Sequence, residues 1–142
     1  MGTVKTLKGK KILVVEDDKE IVETLRLLLE QKGIIMLHSE YGEPAVSIAE
    51  KEFPDLCIFD IMLPDKSGLD LYVEFKNHPE LSVIPVIFLT AVNDYELGEP
   101  WTAERIAKEY DVPPPQGFLD KPFLPEDLIK LLENILLSRL DY

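Results

Sequence analysis

Five short apolar runs, separated by amphipathic segments, dominate the chain. Each run is too short for a helix, and the first four are nearly continuous, which is typical of strands buried on both faces of a parallel sheet. The runs occupy residues 12–15, 34–37, 56–59, 86–89 and 117–119. Strands that alternate with helices predict an α/β fold, with a parallel sheet covered by helices on both faces.

The amphipathic segments predict the helices. Apolar residues recur at helical spacing from Ile21 to Leu29, and this segment closes with Lys32 and Gly33, a basic last turn and a terminal glycine. Similar patterns predict helices at 43–51, 68–76 and 125–137, and a shorter one at 101–110 after Pro100.

Polar side chains follow four of the predicted strands. Glu16 and Asp17 follow the first strand, Asp60 the third, Thr90 the fourth and Lys121 the last. Because the carboxyl ends of parallel strands meet at one edge of the sheet, these groups should converge in one crevice. Two carboxylates suit Mg²⁺, which keeps waters and phosphate oxygens as its other ligands. Asp60 could attack a phosphoryl group, with a metal and Lys121 offsetting the charge and Thr90 donating to a phosphoryl oxygen.

Each of these residues also has a simpler interpretation. Asp17 or Asp18 could cap the first helix, with Glu20 completing a capping box. Asp60 could be a turn residue, and Lys121 a solvated lysine. Polar groups at the ends of four different strands are unlikely to coincide by chance, so the joint interpretation is favoured. Three close carboxylates should raise at least one pKa unless a cation or Lys121 lies among them.

Size and charge limit the range of functions. A chain of 142 residues suits one domain, predicted at 10–142 after a short leader at 1–9. The net charge of −12 disfavours direct binding to nucleic acid. The single cysteine, Cys57, excludes an internal disulfide and favours a reducing cytoplasm. No apolar stretch approaches the roughly 20 residues that span a bilayer, so membrane insertion is not expected.

Four motifs resemble those of response-regulator receiver domains of two-component signalling. They lie at 12–18, 54–68, 85–91 and 120–123, and the resemblance covers about residues 10–137. It implies a flavodoxin-like, doubly wound, five-stranded sheet in the order 2-1-3-4-5. It also implies that Asp60 takes a phosphoryl group from a phosphohistidine on a sensor histidine kinase or phosphotransfer protein, in a Mg²⁺-dependent reaction. Such a domain is a signalling phosphoacceptor that promotes its own phosphorylation, and not an enzyme acting on other molecules.

The resemblance also implies roles for individual residues. Glu16 and Asp17 would form the acidic pair, Asp17 and Asp60 would bind Mg²⁺ directly, and the backbone carbonyl of Met62 would be a third protein ligand. Lys121 would pair with the phosphoryl group.

Two further residues match the family's switch. Thr90 would move toward the phosphoryl group, and Phe118 would occupy the aromatic position whose rotamer follows Thr90. The changed surface around the fourth helix and fifth strand would engage a downstream protein, and a homodimer on phosphorylation is left open.

The chain departs from the family pattern in two ways. The interval from Thr90 to Lys121 is longer than usual, with a proline-rich insertion at about 92–116. Trp101 and the three prolines at 113–115 could form a docking surface, which is the favoured interpretation, or only a loop packed over the sheet edge. The apolar residues Met62 and Val92 stand where family members tune the hydrolytic water, which predicts slow autodephosphorylation.

Rival functions fit the residues less well. An aspartate-nucleophile phosphatase of the haloacid dehalogenase type needs a second Asp at the position of Met62. A nucleotide or flavin binder needs a phosphate-cradling loop, but anions follow the first strand here. A receiver-like interaction module that is not phosphorylated stays as the alternative. The sequence does not identify the cognate kinase, the stimulus or the output target.

Overall fold

A computed structural model describes residues 6–91, 94–95 and 98–137. Strands and helices alternate along the chain as β1 (Lys11–Val15), α1 (Lys19–Gln31), β2 (Ile35–Ser39), α2 (Ala45–Glu52), β3 (Leu56–Asp60), α3 (Gly68–Asn77), β4 (Val86–Thr90), α4 (Ala103–Tyr110), β5 (Gly117–Asp120) and α5 (Pro125–Leu136), with a short 3₁₀ helix at Leu81–Val83 before β4.

The five strands form one parallel sheet in the order β2-β1-β3-β4-β5, which confirms the predicted topology. Every residue of β3 and β4 is buried. The prediction of two-sided burial is wrong for β2, where Ile35 is 48% exposed. The physical reason is position, because β2 is an edge strand with a neighbour on one side only.

Side chains of successive strand residues enter two different cores, as the two-residue period of a strand requires. Leu13 of β1 packs with α2, α3 and α4 on one face, whereas Ile12 packs with α1 and α5 on the other. The first core is rich in aromatic rings, and the buried part of the second is entirely aliphatic. Helices on both faces thus leave the carboxyl edge of the sheet free to carry polar groups.

The cap of the first helix is Asp18, one of the two residues considered for it. Its Oδ1 accepts hydrogen bonds from the backbone N–H groups of Glu20 at 2.9 Å and Ile21 at 3.3 Å. The side chain of Asp17 is therefore not used as the cap. At the other end of the helix Gly33 adopts a positive φ of 75°, a conformation that glycine adopts without strain.

The insertion packs over the aromatic core. Trp101 is 9% exposed, and its indole N–H donates to the carbonyl of Asp94 at 3.1 Å. The hydroxyl of Tyr72 on α3 donates to the carbonyl of Pro113 at 2.6 Å. The suggestion that Trp101 forms a docking surface is therefore wrong, because burying this large apolar ring stabilises the fold.

Helix α4 begins later than the pattern indicated. Thr102 is its N-cap, and the Thr102 Oγ1 accepts from the backbone N–H of Arg105 at 3.1 Å. Pro100 and Trp101 precede the helix instead of forming its first turn, because the hydroxyl cap defines the start.

The remaining predictions about organisation concern the ends of the chain and its location. The division into 1–9 and 10–142 stays a prediction, and residues 1–5 and 138–142 lie outside the described part. Within the described residues, Leu7 is buried in the aliphatic core. No described helix has both the length and the apolar character needed to cross a bilayer. The cytoplasmic location stays a prediction.

Candidate functional site

Three carboxylates meet at the carboxyl edge of the sheet. Glu16 and Asp17 follow β1, and Asp60 is the last residue of β3. One ligand oxygen from each lies within 4.8 Å of the others. Glu16 is fully buried and Asp60 is 4% exposed, whereas Asp17 is exposed. The predicted convergence is therefore present in the structure.

Lys121 lies among these carboxylates. Its Nζ is 2.9 Å from Glu16 Oε1 and 3.0 Å from Asp60 Oδ1. Burial alone would lower the pKa of Lys121, but the close contacts with the carboxylates of Glu16 and Asp60 outweigh it and raise that pKa above its ordinary value. Lys121 therefore stays charged and supplies the cation that the three carboxylates need.

One lysine does not fully compensate three carboxylates. Removal from water, followed by repulsion from Glu16, raises the pKa of Asp60 to about 7 although Lys121 opposes the shift. Loss of solvation also raises the pKa of Asp17, with repulsion from Glu16 as a further contribution. The expectation that Lys121 among the carboxylates would prevent a raised pKa is therefore wrong, and a second positive charge would be favourable at this site.

The two carboxylate oxygens of Glu16 have different environments. Oε2 accepts from the backbone N–H groups of Asp17 at 3.0 Å and Asp18 at 3.1 Å. Oε1 is the only buried side-chain polar atom in the described part of the chain without a hydrogen bond, and it has only the ion pair with Lys121. A buried anionic oxygen of this kind fits a bound cation or a water held by one. The donor set is thus suited to a hard divalent metal such as Mg²⁺.

A close backbone approach holds Asp60 in place. The N–H of Gly68 donates to the carbonyl of Ile61 at 2.7 Å, and a Cβ at position 68 would lie 1.9 Å from the carbonyl oxygen of Asp60. Met62 pairs with Ser67 across the same loop. Only glycine fits at position 68, a requirement that the sequence analysis missed. The available signal was a glycine at the start of a predicted helix, where its low helix propensity needs a reason.

Thr90 lies at the same edge, but its hydroxyl is already engaged. Thr90 is 5% exposed, and its Oγ1 donates to Asp120 Oδ1 at 2.9 Å. Thr90 of β4 and Asp120 of β5 are direct partners in the parallel register. The sequence analysis did not identify Asp120, although its position immediately before Lys121 at the end of the last strand placed it at this edge.

Phe118 is partly buried against the aromatic core. Its ring stacks on that of Phe88, with centroids 5.8 Å apart and an interplanar angle of 25°. Met62 is 63% exposed beside the site. Val92 lies outside the described residues, so the part of the dephosphorylation prediction that concerns it cannot be related to the geometry.

Comparison with known proteins gives one consistent family. The model of the response regulator receiver domain matches residues 12–133. Protein PilH of Pseudomonas aeruginosa is 31% identical over 126 residues, which cover 89% of this chain and 97% of PilH. The signal receiver domain of a signal transduction histidine kinase from Syntrophus aciditrophicus has 28% identity and a TM-score of 0.75, covering 94% of this chain and 93% of that one.

Some relatives are much longer. The alkaline phosphatase synthesis transcriptional regulatory protein PhoP of Bacillus subtilis is 33% identical over 128 residues, which cover 90% of this chain but 49% of PhoP. The chain thus spans about half the length of this relative and nearly all of PilH. With the family model matching most of its length, the chain belongs to the response regulator receiver domains of two-component signalling.

Proposed function

We propose that Asp60 is a phosphoacceptor that takes a phosphoryl group from a phosphohistidine in a Mg²⁺-dependent reaction. The observation that carries this proposal is the burial of Asp60 at the end of β3, 3.0 Å from Lys121 and within one cluster of carboxylates. A nucleophilic carboxylate next to a fixed cation is suited to attack on a phosphoryl group.

Asp17 and Asp60 would hold Mg²⁺ directly, with the backbone carbonyl of Met62 as a third ligand. Glu16 would orient a metal-bound water through Oε1, a buried oxygen whose charge is paired only with Lys121. When bound, the metal supplies positive charge that offsets the repulsion between the carboxylates and the incoming phosphoryl oxygens.

In the transfer step a carboxylate oxygen of Asp60 bonds to phosphorus as the phosphorus–nitrogen bond of the donor breaks. The bonding electrons of that bond stay on the imidazole nitrogen of the donor. The ammonium group of Lys121, already 3.0 Å from Asp60, then pairs with an oxygen of the new phosphoryl group. Asp60 must be ionised to attack, which a second cation would favour by lowering its raised pKa.

The phosphoryl group would act as a switch. Thr90 would leave its present partner and donate to a phosphoryl oxygen, and Phe118 would then pack inward. The half-buried position of Phe118 against Phe88 supports a ring that can move in this way. The changed surface near α4 and β5 would engage a downstream protein.

The proposed partners follow from this chemistry. A sensor histidine kinase or phosphotransfer protein would supply the phosphohistidine, and homodimer formation on phosphorylation is left open. The net charge of −12 argues against direct contact with nucleic acid. The apolar and exposed Met62 offers no polar group to orient a hydrolytic water, which supports slow loss of the phosphoryl group.

Incubation with Mg²⁺ and acetyl phosphate tests the proposal. Intact-mass analysis should show the addition of one phosphoryl group, which the Asp60→Asn variant should not show. Asp111→Asn is the matched control, because Asp111 is an exposed residue at the end of α4 and its left-handed conformation also suits asparagine. The control should accept phosphate like the wild type. Wild-type protein that takes up neither phosphate nor beryllium fluoride would instead support an interaction module that is not phosphorylated.

A further inference from the structure

We propose that Asp120 is a positioning residue for the phosphoryl transfer, holding the Thr90 hydroxyl away from the acceptor until Asp60 carries phosphate. This inference rests on the proposed function. It assigns a role to the first residue of the motif at 120–123, for which the sequence analysis gave none, and it begins from a contact between two neighbouring strand ends.

The contact is direct and specific. Thr90 Oγ1 donates to Asp120 Oδ1 at 2.9 Å, and the two residues are register partners on β4 and β5. A hydroxyl group has one proton, so Thr90 can donate to the Asp120 carboxylate or to a phosphoryl oxygen, but not fully to both. The two acceptors therefore compete for the same proton.

The difference in burial between the two residues suits an exchange of partners. Thr90 is 5% exposed, so leaving its hydroxyl without a hydrogen bond costs free energy. Asp120 is exposed, so water can replace Thr90 when the carboxylate is released. The Thr90 hydroxyl should therefore leave Asp120 only when another strong acceptor is offered.

The backbone around the contact is held in place. The N–H of Lys121 donates to the carbonyl of Thr90 at 2.7 Å, which extends the pairing of β4 and β5 beyond the two side chains. A change of partner can thus occur by rotation of the Thr90 side chain, without separation of the strands. Removing the Asp120 acceptor should free the hydroxyl for the phosphoryl group.

Asp120 also carries a negative charge near a site that receives an anion, and this effect must be separated from the hydrogen bond. Asp120→Asn removes the charge and keeps an oxygen acceptor, whereas Asp120→Ala removes both. Thr90→Val removes the hydroxyl donor. In this background, any change in binding caused by replacing Asp120 must come from something other than the hydrogen bond, such as the lost charge. The wild type, the two single variants Thr90→Val and Asp120→Ala, and the double variant form a double-mutant cycle.

The experiment has two measurements on the full chain. In unphosphorylated protein, three-bond NMR couplings give the rotamer of Thr90, which should be single in the wild type and averaged in Asp120→Ala. With Mg²⁺ present, titration with beryllium fluoride gives the concentration for half saturation. Because water competes for the exposed Asp120 carboxylate, the net value of an ordinary hydrogen bond applies, which predicts tighter binding in Asp120→Ala by roughly three- to tenfold. Asp120→Asn should show a smaller gain, and Asp120→Ala should show none in the Thr90→Val background.

Two results overturn the role of Asp120 alone, provided that wild-type protein binds beryllium fluoride. One is an unchanged half-saturation concentration in Asp120→Ala, and the other is an equal gain in the wild-type and Thr90→Val backgrounds, which would be an effect of charge. Wild-type protein that binds no beryllium fluoride overturns the proposed function itself, and the role of Asp120 with it.

Discussion

The two halves of the carboxyl edge are held by different kinds of contact. The acidic half consists of Glu16, Asp17, Asp60 and Lys121. Here the Lys121 Nζ pairs with Glu16 Oε1 at 2.9 Å and with Asp60 Oδ1 at 3.0 Å, and backbone N–H groups hold the Glu16 carboxylate. In the switch half, formed by Thr90, Phe118 and Asp120, one hydrogen bond to an exposed carboxylate and one stacked ring hold the side chains.

This difference in contacts separates side chains that are held in one position from side chains that can change partner. Apart from the exposed Asp17, a side chain of the acidic half cannot turn away without leaving a buried charge unpaired, which is costly. In the switch half, water or a new acceptor can replace the lost partner. Under the proposed function, the molecule would combine a preorganised acceptor with a side chain that can change its partner. Each prediction below disturbs one half and leaves the other as its reference.

The largest effect is expected from Gly68→Ala, which disturbs the acidic half. The added Cβ would meet the carbonyl oxygen of Asp60 at 1.9 Å, a backbone clash that side-chain motion cannot relieve. We expect a loss of about 2–3 kcal/mol in the free energy of unfolding, measured in urea, because overpacking forces the backbone to shift. Phosphorylation by acetyl phosphate should also slow, since Asp60 moves relative to Lys121.

Gly117→Ala is the matched control in the other half. A Cβ at position 117 would lie 3.1 Å from Leu131 Cδ1, and the flexible end of that side chain can move. The free energy of unfolding should change by less than about 1 kcal/mol. A Gly68→Ala variant as stable as the control, with an unchanged rate of phosphorylation, would show that the acidic half tolerates movement after all.

The strands and the acidic half could largely be predicted from the residues themselves, whereas the order of the strands followed from the family resemblance. Buried strands leave apolar runs, and polar groups that directly follow such runs must share an edge when the sheet is parallel. The distinction between Asp17 and Asp18 could not be predicted, because it depends on the residue at which α1 begins. If α1 began one residue earlier, Asp17 would be the cap and Asp18 would be the exposed carboxylate.

The switch half was less predictable. Thr90 and Phe118 follow from the family resemblance, but the partner of the Thr90 hydroxyl depends on the register between β4 and β5, which no local pattern encodes. The burial of Trp101 was left as one of two alternatives for a related reason. Prolines and a glycine interrupt the apolar periodicity around Trp101, so its contact with the core depends on tertiary packing alone.

A smaller effect is expected from Asp60→Asn in protein free of divalent metal. Burial raises the pKa of folded Asp60 to about 7, above the ordinary value of 3.8 for an unfolded chain. Between these values the folded state binds more protons, so the contribution of Asp60 to stability falls as pH rises through that window. Replacing the charge with an amide should therefore stabilise the protein by about 1–2 kcal/mol at pH 8 and by much less at pH 5.

Thermal unfolding at both pH values in the presence of a chelator would measure this difference, with Asp111→Asn as the control at an exposed site. Saturating Mg²⁺ should reduce the advantage of the variant, because the metal compensates the charge of wild-type Asp60. Equal stabilisation at pH 5 and pH 8 would contradict the assignment of a raised pKa to Asp60 and weaken the contrast between the two halves.

The smallest effect is expected from Tyr72→Phe, which loosens the approach to the switch half. The Tyr72 hydroxyl donates to the carbonyl of Pro113 at 2.6 Å, just before β5, and the rest of the ring packs against Phe88. Loss of this one hydrogen bond should cost about 1 kcal/mol in the free energy of unfolding. Amide hydrogen exchange should accelerate in β5 and stay unchanged in β1 and β3, because only the segment that leads into β5 loses an anchor.

Tyr41→Phe is the control, since Tyr41 is 47% exposed. Equal acceleration in all three strands would mean that the halves open as one unit, and that the acidic half is no more firmly held than the switch half.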